Sequence, residues 1–317
     1  MPNILIAGEL HPSGLEIINQ NPKYSIDYLK EVSNENFLPY LKNADALIIR
    51  TQTLKKNHIE KAKKLKIVSR HGVGYDNVDY QELKKRNIPL TIVGDVNSTS
   101  VSEHTMMLII SVFKKIILAD FSTRNSLWNY RNNYEPRELY GKNLLIIGFG
   151  RIGKKLGKLA KAFGMNIHVY DPYIENKFDE YEIRYFQNLN TALINADCIS
   201  LNLPKVDKPI ITKENSQYLK HGVVIINTAR GELIEEKVLQ DGIQKGVISG
   251  VGLDVFDSEP VEKNHFLFKY KQVIFTPHQA GLSQEAAERM SIKSINNILD
   301  YYDGSLDASL IVNGVKI

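Results

Sequence analysis

The most constraining stretch of the chain is Leu144-Leu145-Ile146-Ile147 running directly into Gly148-Phe149-Gly150-Arg151-Ile152-Gly153, after which Lys154 to Phe163 carries a helical pattern. A short apolar strand, a turn of spaced glycines and a helix leave the backbone little choice. The first glycine permits the tight turn, the second lets backbone approach a ligand closely, and the third allows the helix to pack on the strand. The helix N-terminus then faces an anion, and a dinucleotide pyrophosphate fits this spacing, with Gly148, Gly150, Arg151, Ile152 and Gly153 as its cradle. The next predicted strand, Ile167 to Tyr170, ends in Asp171. A carboxylate there accepts hydrogen bonds from a ribose diol and repels a 2′-phosphate, so NAD is expected in preference to NADP. A plainer reading, with Asp171 merely starting a turn at Pro172, stands beside it.

The fingerprint sits inside a longer α/β rhythm. Candidate strands Ile4 to Ala7, Tyr24 to Leu29, Ala46 to Ile49, Ile67 to Ser69 and Leu90 to Ile92 alternate with helical patterns such as Gly14 to Asn21 and His58 to Lys64. That alternation predicts a parallel sheet. A second series follows through Leu144 to Ile147, Ile167 to Tyr170, Cys198 to Leu201, Val223 to Ile226, Val247 to Leu253 and Val273 to Phe275. Between the two lies one long predicted helix, Val101 to about Asn125, entered through a capping arrangement of Ser100 with Glu103. Its apolar character is too broad for a one-sided surface helix and suggests packing between domains or subunits. After Ser283 another long helix runs to about Tyr302, ahead of a short tail, Leu310 to Val315.

At 317 residues, two domains are the natural division. The expected boundaries are a discontinuous first domain of residues 1–97 and 285–317, and an inserted dinucleotide domain of residues 98–284. A net charge of +4 invites a nucleic-acid reading. The lysines, however, are spread along polar helix faces without interleaved aromatics, so neither nucleic acid nor membrane is an expected partner. The single cysteine, Cys198, reads as a buried strand thiol that cannot form an intrachain disulfide. The opening Asn3-Ile4-Leu5-Ile6-Ala7-Gly8 reads as a strand and not as a signal peptide, and the apolar runs are too short to span a bilayer, so a cytoplasmic protein is expected. No metal is expected.

Three strand ends of the second series carry reactive groups: Asn227-Thr228-Ala229-Arg230-Gly231, Phe256-Asp257-Ser258-Glu259-Pro260 and Thr276-Pro277-His278-Gln279-Ala280-Gly281. Open parallel sheets bind ligands beyond the carboxyl ends of their strands. An arginine fork can grip a carboxylate, an imidazole can give a proton to a carbonyl oxygen and take it back, and a neighbouring carboxylate favours the protonated imidazole. Singly, Arg230 reads equally as a surface ion pair, Glu259 as a turn residue and His278 as a satisfied core histidine. Together, behind the fingerprint, they suit hydride exchange between a nicotinamide and a 2-hydroxy acid.

The fingerprint, then Asn227-Thr228-Ala229-Arg230-Gly231, Leu253-Asp254-Val255-Phe256 with Glu259-Pro260, and Thr276-Pro277-His278 follow the order found in the D-isomer-specific 2-hydroxyacid dehydrogenases, which the chain resembles over almost its whole length. The resemblance implies a Rossmann cofactor domain inserted in a flavodoxin-like substrate domain, with Arg230, Glu259 and His278 as catalytic set. It implies further cofactor contacts at Leu203 and Pro204 on the adenine side, Asp254 near the nicotinamide, and Thr228, Ala229, Ala280 and Gly281. It also implies a homodimer built on the cofactor domain, with Val101 to Asn125 as the arm.

The loop Val68-Ser69-Arg70-His71-Gly72-Val73-Gly74-Tyr75-Asp76-Asn77-Val78-Asp79 resembles the family's substrate-carboxylate loop, where backbone amides around Gly72 and Val73 could bind the carboxylate as a small anion nest. Arg50, in Arg50-Thr51-Gln52-Thr53, and Arg70 add cations, though a pair of surface arginines is the bland alternative. These stretches most resemble phosphoglycerate dehydrogenases. The chain ends at Ile317, so the resemblance implies a short member lacking the added regulatory domain, without serine feedback through it. A hydroxypyruvate or glyoxylate reductase is the near alternative. A corepressor-like dinucleotide sensor would not need both His278 and Glu259, and a formate dehydrogenase would carry Gln in place of Glu259.

Overall fold

The structure, a computed structural model, describes residues 1–174 and 182–317. The chain divides into two compact units, Met1–Asn97 with Leu282–Ile317, and Ser98–Gly281. The second junction precedes Leu282 and not residue 285. Ser283 caps helix Gln284–Asp303 by accepting the Ala286 N–H at 3.2 Å, which ties it to the helix it starts.

In the first unit, strands β1 (Asn3–Ala7), β2 (Ser25–Leu29), β3 (Ala46–Ile49), β4 (Ile67–Arg70) and β5 (Leu90–Thr91) lie in the order β2-β1-β3-β4-β5, paired in parallel. This is the flavodoxin-like order. Continuous apolar runs build it because both faces are covered. Leu5, Leu47 and Ile49 pack with Phe37 and Leu41 on one face, while Ile4, Ile6 and Ile48 pack with Ile295 and Ile298 of helix Gln284–Asp303 on the other. Each fully buried Leu or Ile contributes about 2 kcal/mol. The C-terminal helix returns to this sheet for that reason.

The second unit carries β6 (Asn143–Ile147), β7 (Asn166–Tyr170), β8 (Arg184–Tyr185), β9 (Cys198–Leu201), β10 (Val223–Asn227), β11 (Ile248–Leu253) and β12 (Val273–Phe275). Their order, β12-β11-β10-β9-β6-β7-β8 with parallel pairing, is the doubly wound dinucleotide-binding arrangement extended by one strand. The order reverses between β6 and β9, so a crevice opens beyond their carboxyl ends. Cys198 is wholly buried within β9, and burial pushes its thiol far up from its ordinary value. The two-residue β8 carries no apolar run that could announce it.

The long helix expected from Val101 to Asn125 is two helices, Ser98–Lys114 and Ile116–Arg124. Lys115 between them adopts a left-handed backbone, φ 53°, with its Nζ donating to the Ser249 carbonyl at 3.2 Å. Lysine has no special liking for that conformation and the apolar residues continue past it, so the break has no local signature. The expected cap at Ser100 does not form either. The helix has already begun at Ser98, and the Ser100 hydroxyl donates instead to the Ala280 carbonyl at 2.7 Å. Leu108, Ile109, Val112 and Phe113 are buried in a core with Ile146, Val224 and Ile226 of the sheet.

Candidate active site

The turn after β6 is closed towards the sheet and open towards solvent. Gly148 takes φ +88°, and a Cβ at Gly153 would lie 2.3 Å from the Gly148 carbonyl oxygen, a contact only glycine avoids. At Gly150, which caps helix Arg151–Ala162, an added Cβ would meet nothing within 4 Å. That open space over the first N–H groups of the helix fits a pyrophosphate. Arg151 is exposed at the helix start, and Ile152 is half-buried behind it.

Asp171, at the end of β7, accepts the Phe149 N–H at 2.8 Å and the Tyr173 N–H at 3.0 Å. It therefore starts the local turn and ties down the glycine turn at once. A carboxylate has roughly four lone-pair sites, so acceptor capacity remains for a ribose diol. Leu203 follows β9 so closely that a Cβ at Gly148 would come within 3.2 Å of its Cβ. Pro204 beside it is exposed. Leu203-Pro204 thus stands against the glycine turn at the strand-order reversal.

Beyond β10, buried Asn227 holds the next loop from both ends, its Nδ2 donating to the Arg230 carbonyl at 2.7 Å and its Oδ1 accepting the Ala229 N–H at 3.0 Å. The Thr228 hydroxyl meets that of Thr105 at 2.8 Å. Gly231 lets this loop press on the one after β11, since a Cβ there would stand 2.1 Å from the Phe256 carbonyl carbon. Arg230 is half-buried with Nη1 on the Ala229 carbonyl at 2.6 Å.

Glu259 bridges the remaining parts. Its Oε1 accepts the Phe256 N–H at 3.0 Å, and its Oε2 lies 2.6 Å from His278 Nδ1. Burial pushes this carboxyl up, but the His278 hydrogen bond and charge, the Phe256 N–H and the Arg230 guanidinium outweigh it and hold the group below the usual carboxylate range. The His278 side chain is 52% exposed, so with Nδ1 committed to Glu259 its Nε2 is left to face a reactant. Arg230, Glu259 and His278 therefore share one site.

Asp254, directly after β11, holds the loop that follows β12. Its side chain is fully buried, and its carboxylate accepts the Thr276 hydroxyl at 2.6 Å and the N–H groups of Gln279 and Ala280, each at 2.9 Å. Its backbone carbonyl accepts the His278 N–H at 2.9 Å, and His278 itself takes a left-handed φ of 49°. Asp254 thus shapes the loop that presents His278. Ala280 is likewise turned inward, its N–H on Asp254 and its carbonyl on Ser100, with half-buried Gly281 ending the unit.

In the first unit, Arg50 and Arg70 end the neighbouring strands β3 and β4, with Ile49 registered against Arg70. Arg50 Nη1 donates to the Glu9 carbonyl at 3.0 Å, and Arg70 Nη1 donates to the His71 carbonyl at 2.5 Å. Gly72 follows at φ +147°, with Val73 half-buried after it. Burial, then the charges of Arg50 and Arg70, press the His71 imidazole down to about 3, so it is neutral.

Composition gave no reason to single out Asn227, Thr105 or His104, whose roles depend on tertiary neighbours. His104 Nε2 lies 3.0 Å from the Thr276 hydroxyl and 3.6 Å from Asp254 Oδ1. Among the described residues no acidic, His or Cys cluster could hold a metal ion, and no helix is long and apolar enough to cross a membrane.

Comparison with known proteins agrees with this geometry. Residues 106–280 match the profile of the D-isomer specific 2-hydroxyacid dehydrogenase, NAD binding domain. The chain is 37% identical to a D-3-phosphoglycerate dehydrogenase of Methanocaldococcus jannaschii, covering 90% of itself and 55% of that protein. It thus spans about half the length of that relative. It is 30% identical to a glyoxylate reductase of Korarchaeum cryptofilum, covering 98% of itself and 96% of the relative. A solved structure of a Pyrococcus horikoshii protein superposes with a TM-score of 0.82 at 30% identity, over 99% of this chain and 96% of that one.

Proposed function

The chain belongs to the D-isomer-specific 2-hydroxyacid dehydrogenase family, and on that premise we propose that it exchanges a hydride reversibly between NAD and a D-2-hydroxy acid, with D-3-phosphoglycerate as favoured substrate. The observation that carries the reading is the 2.6 Å contact of His278 Nδ1 with Glu259 at strand ends beside the dinucleotide turn. NAD, when bound, supplies the hydride chemistry. Gly150 and the start of helix Arg151–Ala162 would hold its pyrophosphate, Asp171 its ribose, and Leu203 and Pro204 its adenine side.

The chain's own groups do the rest. Arg230 grips the substrate carboxylate or its neighbouring oxygen through a planar fork that a lysine could not reproduce. His278 Nε2 takes the proton of the 2-hydroxyl during oxidation and returns it to the carbonyl oxygen during reduction. Glu259, held ionised, fixes the imidazole through Nδ1 and stabilises its protonated form.

Phosphoglycerate is favoured because Arg50 and Arg70 gather positive charge at adjacent strand ends next to the Gly72-Val73 backbone. Similarity along nearly the whole length of glyoxylate reductases supports the second reading, a hydroxypyruvate or glyoxylate reductase. A substrate panel separates them. Arg50→Ala and Arg70→Ala should each raise KM for phosphoglycerate about tenfold or more, the loss of one charge-assisted contact of about 1.5 kcal/mol, while hardly touching glyoxylate. Unchanged phosphoglycerate turnover in both variants would remove the phosphate assignment.

A homodimer through the second unit follows the same reading. Helix Ile116–Arg124 and the turn after it expose Ile117 at 56%, Phe121 at 56% and Trp128 at 65%, an apolar surface suited to a second copy. The lone buried thiol suits a reducing, cytoplasmic setting.

A further inference from the structure

We propose that His104 is a positioning residue that holds the His278 loop in register through Thr276 and Asp254. The inference rests on the dehydrogenase reading for its catalytic consequence and on hydrogen-bond logic for its geometry. The Thr276 hydroxyl has one proton, and at 2.6 Å from Asp254 Oδ1 that proton belongs to the carboxylate. The 3.0 Å contact between His104 Nε2 and the same hydroxyl oxygen therefore has the imidazole as donor. This fixes a directed chain, His104 to Thr276 to Asp254, and Asp254 in turn collects the N–H groups of Gln279 and Ala280. The residues tied down, Thr276, Gln279 and Ala280, flank His278 on both sides.

The bracing comes from one helix. Ser100, one turn before His104 on helix Ser98–Lys114, donates to the Ala280 carbonyl at 2.7 Å. Thr105, next to His104, meets Thr228 in the loop that carries Arg230. One face of this helix therefore supports the strand-end loops of two of the three catalytic side chains, Arg230 and His278. His104 is 13% exposed at its side chain, and burial lowers its imidazole against the pull of Asp254. A neutral Nε2–H donor is the form that suits the chain.

Removing the donor leaves Thr276 with one partner and Asp254 less firmly held, while the loop keeps all its own sequence. The test compares His104→Phe, which lacks the donor, with His104→Gln, whose amide can replace it. Two readouts are taken: amide hydrogen exchange at Gln279 and Ala280, and steady-state reduction of a 2-keto acid with NADH. His104→Phe should speed exchange at those amides and lower kcat, each about tenfold, with KM and NADH affinity within about twofold of the wild type. His104→Gln should recover both to within about threefold. Unchanged exchange and kcat in the Phe variant, or a Gln variant as impaired as Phe, would overturn the proposal. A protein inert towards every 2-keto acid whose exchange still responds would overturn the dehydrogenase reading and leave the bracing intact.

Discussion

Replacing Glu259 by Gln tests the proposed division of labour at its narrowest point. Glu259 uses both oxygens, Oε1 on the Phe256 N–H and Oε2 on His278 Nδ1. A Gln amide can keep both bonds only if His278 moves its proton to Nε2, which then cannot take the proton of the substrate hydroxyl; with Nδ1 still protonated the amide keeps only one. If its oxygen stays on Phe256, its NH2 meets the Nδ1–H of His278, donor against donor; if it flips, the Phe256 N–H loses its acceptor. A charge-assisted hydrogen bond is worth about 1.5–3 kcal/mol. His278 is 52% exposed and Glu259 34%, so solvent screens the pair and the lower figure applies. The imidazole gains its positive charge as the substrate hydroxyl loses its proton, so the loss falls on the transition state. At about 1.4 kcal/mol per factor of ten, kcat/KM for hydroxy-acid oxidation should fall roughly tenfold or a little more. The assay is NADH formation under limiting substrate, with NAD affinity measured separately and expected to be unchanged. A variant that retains half the wild-type kcat/KM would refute the claim that Glu259 supports the imidazolium.

Two further outcomes follow from the same geometry. Asp171→Ala should raise the ratio of kcat/KM with NADP to that with NAD by about tenfold, the removal of roughly 1.4 kcal/mol of like-charge repulsion against a 2′-phosphate; an unchanged ratio would leave Asp171 as a turn residue only. His71 should make the protein sensitive to acid. Its folded value of about 3 lies below the unfolded value near 6.5, so the unfolded chain binds the proton that the folded chain refuses. Its contribution is complete above about pH 6.5 and is lost towards pH 3 at about 1.4 kcal/mol per pH unit, and His168, held at about 4 by burial and then Arg184, acts in the same direction. Urea midpoints measured from pH 7 to pH 4.5 should fall less steeply in His71→Leu, whereas an identical slope would contradict the buried neutral state.

What could be read from the chain depended on how local the cause was. The strands announced themselves because a doubly covered parallel sheet demands unbroken apolar runs, as in Ala46–Ile49 and Val223–Asn227. The fingerprint was legible because its glycines answer to the turn itself. Asp254 was visible as a motif residue, yet its task was not, since only the fold turns its carboxylate inward onto Gln279 and Ala280. His104 and Thr276 are far apart in sequence and meet only when the helix packs on β12. The break at Lys115 coincides with a tertiary contact of its Nζ with the Ser249 carbonyl, and no helix-stop residue marks it.

In the proposed function His278 is the acid and base of a hydride-exchanging site whose cofactor binding is separate from it. The most direct measurement is the single-turnover rate of His278→Ala beside its NADH affinity. Affinity should stay within about twofold of the wild type while the rate falls by about a hundredfold or more, the usual share of a positioned proton-transfer group. Oxidation at the wild-type rate in that variant would contradict this role.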